Sequence, residues 1–409
     1  MEHRIIIERL GHLGDGIAPG PVFVPLTLPG EIVEGTVIDG RMADPRIVTP
    51  SADRVKPPCP HYRSCGGCGL QHASDAFVAD WKLAVVRNAL AAQGLDAPFR
   101  PTYTSPPRSR RRATLSGTRT KKGALIGFHG RKSDTIVPIH DCFILHPKLM
   151  ATLPMLEEMT RIGGSRAATL SFALTLSENG VDCAVTGGKA LDTALQTTLP
   201  QFSDRLVRLT WDGETVFTES APTQAFGTAR VTPPPGAFLQ ATPDGEAALL
   251  AAVTEAVRGA NAIVDLFAGC GTFTLPLAVA APVHAVESEA AMLAALDHGA
   301  RFATGHKRVT TETRDLFRRP LLPDELKRFD AAVIDPPRAG AEAQVVELAR
   351  AQTPRIAMVS CSPVTFARDV KLLIAADYRL NWVQVVDQFR WSPHVELAAS
   401  LTLPHIDGK

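Results

Sequence analysis

Three cysteines lie in one short, glycine-bearing segment, CPHYRSCGGCG, with the spacing C-x5-C-x2-C. They are Cys59, Cys65 and Cys68, and the chain of 409 residues has seven cysteines in all. Clustered cysteines in a long chain that uses few of them bind metal more often than they form disulfides. A fourth thiolate is needed to complete such a site, and Cys142 in IHDCFILHP is the best candidate. Four thiolates suit either a tetrahedral zinc ion or a [4Fe–4S] cluster, and spacing alone does not separate the two.

A reactive cysteine of a different kind is indicated by the segment VSCSP. Cys361 follows an apolar run there and precedes the helical pattern PVTFARDVKLLIAA. A thiolate at this place can act as a nucleophile if a helix N-terminus or a nearby cation lowers its pKa. Asp335 in VIDPPRAGA and Glu396 in SPHVELAASLTL also stand at the ends of apolar runs. Alone, Glu396 is interpreted as a surface charge, but its convergence with Cys361 and Asp335 on one rim favours a general base.

The apolar runs that precede these residues alternate with helical patterns in the last third of the chain, for example NAIVDLFAG, PVHAVES, RFDAAVIDPP and RIAMVSCSP. Alternation of this kind predicts a parallel, doubly wound α/β sheet. Ligands bind such sheets at the carboxyl ends of the strands. The polar residues that follow the runs are therefore expected to face one site.

The segment VDLFAGCGTFTLPLA predicts a strand, a glycine-rich turn and a helix. It has neither the G-x-G-x-x-G dinucleotide fingerprint nor the Lys-Ser/Thr pair of a phosphate-binding loop. Glu287 ends the next strand, where a carboxylate can accept the hydroxyls of a ribose. An adenosine ligand without phosphates, S-adenosylmethionine, fits this pattern best. Asp315 in ETRDLF follows the third strand and is predicted either to contact the adenine or to cap a helix.

The first two thirds of the chain have a different pattern. Residues 1–57 combine β-branched residues with frequent Gly and Pro, which predicts a small barrel of short strands. Residues 58–236 contain one helical pattern, SDAFVADWKLAVVRNALAAQG, and are otherwise mostly strand-like. Residues 237–409 contain the alternating α/β pattern. We therefore predict three domains with these bounds.

Charge is unevenly distributed along the chain. The net charge is +1, but the window from Ala97 to Ser133 has ten basic residues and no acidic one. Such a field attracts phosphates, which favours a nucleic acid over the alternative of a solvated basic loop. No signal peptide or membrane-spanning run is evident. The sequence therefore predicts a cytoplasmic protein without a membrane partner, and a monomer because no feature requires a dimer.

Together these motifs resemble the RNA uracil-C5 methyltransferases, the family whose iron–sulfur members modify 23S ribosomal RNA. The start ERLGHLGDGIA resembles a TRAM barrel, and CPHYRSCGGCGLQHAS resembles the cluster loop. The catalytic domain is matched in order by AFLQAT, DLFAGCGTFTLPLA, DPPRAG, VSCSP and HVELAAS. The resemblance implies an α/β class I S-adenosylmethionine methyltransferase domain, a small N-terminal TRAM/OB-like β-barrel, and a mostly β central domain with a four-cysteine cluster.

The resemblance also implies a mechanism. Cys361 would add to C6 of uracil, C5 would take the methyl group from S-adenosylmethionine, and Glu396 would remove the C5 proton. A uracil in folded RNA would first leave its stack. The implied partner is 23S ribosomal RNA, and the implied metal group is a [4Fe–4S] cluster on Cys59, Cys65, Cys68 and Cys142. The residues implied to line the cofactor pocket are Gln240, Phe267, Thr272, Glu287 and Asp335, with Thr272 standing where many members have Asn.

Four alternatives agree less well with these motifs. A tRNA uracil-C5 methyltransferase is the first, although the bacterial tRNA enzymes usually lack the barrel and the cluster cysteines. A non-catalytic, metal-bearing RNA-binding protein would leave Cys361, Glu396 and Asp335 without a role. An amino-group methyltransferase favours an aromatic residue where Arg338 follows the two prolines. A radical enzyme keeps one iron open, whereas a fourth cysteine would close the cluster here.

Overall fold

The computed structural model describes residues 2–404. The N-terminal strands are β1 (Glu2–Ile6), β2 (Arg9–Leu10), β3 (Gly16–Ala18), β4 (Val22–Val24), β5 (Ile32–Thr36) and β6 (Arg46–Thr49). They form two antiparallel sheets, β1-β5-β6 and β2-β3-β4. Apolar side chains from both sheets, including Val24 and Val33, pack in one small core. Closure of these sheets into a barrel stays a prediction.

The middle of the chain forms a sheet covered by helices. Its elements are α1 (Asp75–Ala91), β7 (Tyr103–Thr104), β8 (Arg112–Arg119), β9 (Ala124–His129), β10 (Ile136–Pro138), α2 (Pro147–Met150), α3 (Leu153–Gly163), β11 (Leu170–Leu176), β12 (Val181–Thr186), α4 (Thr193–Thr198), β13 (Arg208–Trp211) and β14 (Glu214–Thr218). The strand order is β10-β9-β8-β11-β12-β13-β14. The predicted strand-like pattern missed α3, whose buried Met155, Leu156 and Met159 recur at helical spacing and pack on the sheet.

The last third forms the sheet that the alternating pattern predicted. Strands β15 (Gln224–Phe226) and β16 (Ala229–Val231) precede this sheet and pair with each other separately. The elements that follow are α5 (Pro243–Ala256), β17 (Ile263–Leu266), α6 (Thr274–Leu277), β18 (Val283–Glu287), α7 (Ala290–Phe302), β19 (Val309–Thr313), α8 (Pro323–Leu326), β20 (Ala331–Ile334), α9 (Glu342–Ala351), β21 (Arg355–Ser360), α10 (Pro363–Ile374), β22 (Arg379–Asp387) and β23 (Leu397–Thr402). The order is β19-β18-β17-β20-β21-β23-β22-β7. The doubly wound α/β sheet is confirmed.

The directions of the strands determine where this sheet can bind a ligand. Strands β17 to β21 are parallel, and β23 runs antiparallel to both of its neighbours, β21 and β22. Alternate residues of the central strands pack in different cores, Val264 in one and Ile263 in the other. Burial on both faces explains why these strands appear as continuous apolar runs. The strand order reverses between β17 and β20, where a doubly wound sheet opens its binding crevice.

Two elements from the predicted central domain pack on this last sheet. Strand β7 adds to its edge beside β22. Helix α1 places Val86 and Leu90 in the same core as the side chains of β20 and α10. The predicted domain bounds stay predictions, but residues 75–104 pack with the C-terminal sheet and not with the central one. No helix within residues 2–404 is long and apolar enough to span a bilayer.

Candidate active site

One cavity of about 1340 Å³ lies along the carboxyl ends of the strands and extends to the cysteine-rich loop. Most of the predicted site residues line it, namely Cys59, Cys65, Cys68, Cys142, Phe267, Glu287, Asp315, Asp335, Cys361 and Glu396. Gln240 does not line it but donates a 3.4 Å hydrogen bond from Nε2 to Asp335 Oδ2. Thr272, which was expected in the pocket, does not line it. It lies in the turn before α6, three residues after the cavity-lining Gly269.

The glycine-rich turn after β17 needs unusual backbone geometry. Phe267, Gly269 and Gly271 have φ values of 63°, 55° and 93°. A Cβ on Gly271 would lie 2.8 Å from the side chain of Leu296. Positive φ is strained for a residue other than glycine, and such strain is concentrated at functional sites. The strained Phe267 lines the cavity, with its ring centroid 5.5 Å from that of Phe317.

Glu287 joins the turn to the end of β18. Its Oε2 accepts the N–H of Gly269 at 3.1 Å. Its Oε1 accepts the N–H and hydroxyl of Ser288, at 2.6 and 2.8 Å, and the N–H of Glu289 at 3.1 Å. Each carboxylate oxygen has about two acceptor positions. Oε2 uses one of them, so it can accept one further hydrogen bond.

Asp315 follows β19 and lines the cavity. Its Oδ1 accepts the backbone N–H groups of Phe317 at 3.0 Å and Arg318 at 3.3 Å. The capping that the sequence suggested is present, although it caps a turn and not a helix. Phe317 itself was missed by the sequence analysis. Phe317 lies two residues after Asp315 and, like Asp315, follows the end of β19. That position could have indicated it as a site residue.

Cys361 and Glu396 meet at the rim because of strand register. Ser360, at the end of β21, pairs with Leu397, at the start of β23. Cys361 follows Ser360 and Glu396 precedes Leu397, so the two residues emerge at the same edge of the sheet. Glu396 is 4% exposed, and its Oε2 accepts a 3.2 Å hydrogen bond from Nε2 of Gln388.

The electrostatics of this rim differ from those that the sequence suggested for a nucleophile. Burial, followed by the charges of Glu396 and Asp335, raises the pKa of Cys361 to about 11. Arg338 opposes this change. Burial, followed by the charge of Asp335, also raises the pKa of Glu396. The lowered thiol pKa expected from a cation or helix N-terminus is therefore not found, because burial and two neighbouring acids outweigh the one guanidinium.

The four clustered cysteines share one wall of the cavity but are not closed around a single ion. Burial raises each thiol pKa, and each pKa is raised further by at least one other cysteine of the four. Yet within residues 2–404 no group of three or more His, Cys, Asp or Glu side chains is arranged to hold a metal ion. The donor chemistry of these four residues fits a thiolate-bound metal group, although their side chains are not arranged as a closed set of ligands.

Several residues of the basic window have structural roles. Arg111 bonds Gln240 O and pairs with Glu246, and Arg108 pairs with Asp141 at 2.9 Å. Other cations line the cavity, among them Arg110, Arg112, Arg131 and Lys132. The predicted field is therefore directed partly into the cleft, whereas Arg119, Lys121 and Lys122 are exposed at the turn between β8 and β9.

Comparisons with known proteins agree with this geometry. Residues 301–403 match the family model described as tRNA (Uracil-5-)-methyltransferase. The chain is 42% identical to an uncharacterized RNA methyltransferase of Mesorhizobium japonicum, over 99% of each chain. It is 32% identical to the 23S rRNA (uracil(1939)-C(5))-methyltransferase RlmD of Halomonas elongata, over 99% of this chain and 90% of that one.

A solved structure has a similar fold. It is the tRNA (uracil-54, C5)-methyltransferase of Pyrococcus abyssi in complex with S-adenosyl-L-homocysteine. The TM-score is 0.76 at 24% identity, over 98% of this chain and 99% of that one. The doubly wound sheet is thus a class I methyltransferase fold. With relatives aligned along nearly its whole length, the chain belongs to the S-adenosylmethionine-dependent RNA (uracil-C5) methyltransferase family.

Proposed function

We propose that this protein methylates C5 of one uridine in 23S ribosomal RNA through a covalent bond between Cys361 and C6 of the base. The observation that supports this most is the shared rim of Cys361 and Glu396, set by the pairing of Ser360 with Leu397. The similarity to a relative named for 23S rRNA favours that substrate class over tRNA.

The reaction follows from the chemistry of the two side chains. The Cys361 thiolate bonds to C6, and the electron pair of the C5–C6 double bond makes C5 nucleophilic. S-adenosylmethionine, when bound, supplies the methyl group to C5. Glu396 then takes the proton from C5, the double bond re-forms, and the bond between C6 and the Cys361 sulfur breaks to release the thiolate.

The raised pKa values suit the protons that must move. A buried carboxylate with a raised pKa is a stronger base than a free one, which suits removal of a proton from carbon. The Cys361 thiol is neutral before substrate arrives, because its pKa lies near 11. Arg338 is the group that favours its ionisation, so this guanidinium would stabilise the thiolate once the uracil is in place.

The cofactor would occupy the part of the cavity beside the glycine-rich turn. Phe267 and Glu287 would contact the adenosine, with Asp315 near the adenine. Asp335, which receives a hydrogen bond from Gln240, would border the reacting end. Thr272 is the weakest member of the proposed set, because it lies outside the cavity wall.

We assign a [4Fe–4S] cluster to Cys59, Cys65, Cys68 and Cys142. Thiolates of this kind repel one another, and a bound metal group offsets that repulsion. The cluster would brace the loop that contains three of these cysteines against the rest of the protein. The three domains, 1–57, 58–236 and 237–409, belong to the same proposal.

The test uses anaerobically purified protein, labelled S-adenosylmethionine, and unmodified 23S rRNA and tRNA in separate reactions. Digestion to nucleosides should place the label in 5-methyluridine from 23S rRNA, with none for Cys361→Ala. Label in tRNA alone would replace the proposed substrate by the second candidate and keep the chemistry. Absence of label with every RNA would overturn the proposal.

A further inference from the structure

Gln388 is buried directly behind the proposed general base. It follows the last residue of β22 and is 2% exposed. Its Nε2 donates to Oε1 of Gln240 at 2.5 Å and to Oε2 of Glu396 at 3.2 Å. Its Oε1 accepts the backbone N–H of Ala241 at 2.6 Å. Both hydrogens of the amide and its oxygen are therefore used.

The orientation of this amide is determined by its partners. A backbone N–H can only donate, so Oε1 must face Ala241. Nε2 must then face the carboxylate of Glu396 and the amide oxygen of Gln240. Gln240 passes a further hydrogen bond to Asp335. The result is one hydrogen-bonded chain from Glu396 through Gln388 and Gln240 to Asp335.

Glu396 depends on this one donor. Within residues 2–404, Gln388 is the hydrogen-bond donor to the Glu396 side chain. An amide N–H favours an ionised carboxylate over a protonated one, and it fixes the direction of the oxygen that it contacts. The cations Arg112 and Arg338 also act on Glu396, but at longer range and from other elements.

We propose that Gln388 is a positioning residue for proton removal, which fixes the direction of Oε2 of Glu396 and stabilises the ionised form of that carboxylate. The inference rests on the proposed function, because it needs Glu396 to act as the base. Gln388 touches no reacting atom in this arrangement. Its effect should appear in the last step of the reaction and not in formation of the bond between Cys361 and the base.

The experiment separates the two steps at saturating S-adenosylmethionine. Single-turnover reactions with labelled 23S rRNA are run for the wild type, Glu396→Gln and Gln388→Met. Denaturing gels measure the protein–RNA adduct, and nucleoside digestion measures free 5-methyluridine. Gln388→Met should form the adduct at the wild-type rate and release product about 10- to 100-fold more slowly, as expected for loss of a hydrogen bond to a charged group.

Further comparisons exclude a merely structural effect. In the Glu396→Gln background, Gln388→Met should slow release no further, because the two changes act on one step. As the pH falls, product release by Gln388→Met should also begin to slow at a higher pH than product release by the wild type. The reason is that the amide donor no longer favours the ionised form of Glu396. The other titratable or charged groups facing Glu396 are Asp335, Arg112, Arg338 and Cys361.

Controls keep the outcome decisive. Gln384 lies in β22 but is not part of the hydrogen-bonded chain from Glu396 to Asp335, so Gln384→Met should behave as wild type. If Gln388→Met does not fold, Gln388→Glu preserves the shape, removes the donor, and should slow release at least as much. Equal slowing of adduct formation and release, or additive effects with Glu396→Gln, would overturn the inference. Failure of the proposed function would appear separately, as no adduct and no product with the wild type.

Discussion

Ser360 and Leu397 are paired across two antiparallel strands, so the residues just beyond them, Cys361 and Glu396, emerge at one edge of the sheet. The two side chains come from segments separated by helix α10 and strand β22. A shift of one residue in this register would turn one of the two side chains to the opposite face. The proposed nucleophile and the proposed base are therefore positioned by strand pairing.

The first prediction concerns these two residues. Cys361→Ala should abolish both methylation and the protein–RNA adduct, because it removes the thiol that is proposed to bond to C6. Glu396→Gln should lower turnover by about 10²- to 10⁴-fold, the usual contribution of a general base, while the adduct accumulates. Denaturing gels with labelled RNA measure both. Cys183→Ala, at a buried cysteine of the central sheet that is absent from the cavity wall, is the control.

The second prediction concerns the pH at which the free enzyme exposes a thiolate. Because the pKa of Cys361 lies near 11, its alkylation by iodoacetamide should accelerate steadily as the pH rises from 7 toward that value. Arg338→Met removes the cation that lowers this pKa, so alkylation at a fixed pH should become slower. Peptide mass spectrometry follows the site. Unchanged alkylation in Arg338→Met, compared with the surface variant Arg166→Met, would refute the role of the guanidinium.

The third prediction concerns the acid side of the activity profile. A carboxylate accepts a proton only when it is ionised, and burial raises the pKa of Glu396. Product release should therefore decline as the pH falls, beginning above the usual carboxylate range of about 4.3. Assays stopped at fixed times between about pH 5 and 9, at saturating substrates, would measure this decline in the rate of product release. A release rate that stays constant down to pH 5 would show that Glu396 is not limiting.

Particular residues show what the sequence could and could not predict. Cys361, Asp335 and Glu287 were found because ligands gather at the carboxyl ends of parallel strands, and that rule depends only on locating the apolar runs. The same rule would have found Gln388, which directly follows β22. Lys82 could not be found in this way. A lysine in an amphipathic helix is expected to face water, and its partner Asp387 is 305 residues away along the chain.

That buried pair leads to the fourth prediction. Lys82 and Asp387 are fully buried, with Nζ and Oδ1 2.5 Å apart. Lys82→Met leaves an unpaired buried carboxylate, which should lower the free energy of unfolding by about 3–5 kcal/mol. Urea unfolding measures this change. The double variant Lys82→Met/Asp387→Leu should recover much of the loss, and a double variant less stable than Lys82→Met would contradict this explanation.

The fifth prediction concerns the proposed cluster. Protein purified without oxygen should contain about four iron atoms per chain with matching sulfide, and no stoichiometric zinc. Cys65→Ser should lose the iron, whereas Cys183→Ala, at a buried strand position, should retain it. Elemental analysis and sulfide determination measure both. One zinc atom per chain in the wild type would contradict the proposed cluster and would show that the four cysteines bind zinc, which their spacing also allows.

The segment that precedes Glu396 is secured by distant parts of the chain. Gly69 and Leu70 both donate backbone N–H groups to the carbonyl of Trp391, at 2.8 and 2.9 Å. Lys82 donates to the carbonyl of Phe389 at 3.1 Å, and Arg390 pairs with Asp75. Contacts between residues so far apart along the chain close large loops and are slow to form. Most strand pairs of the C-terminal sheet join segments closer along the chain, whereas the surroundings of the proposed base are completed only when residues 69–82 dock. During folding, catalytic competence should therefore appear after the methyltransferase sheet has formed.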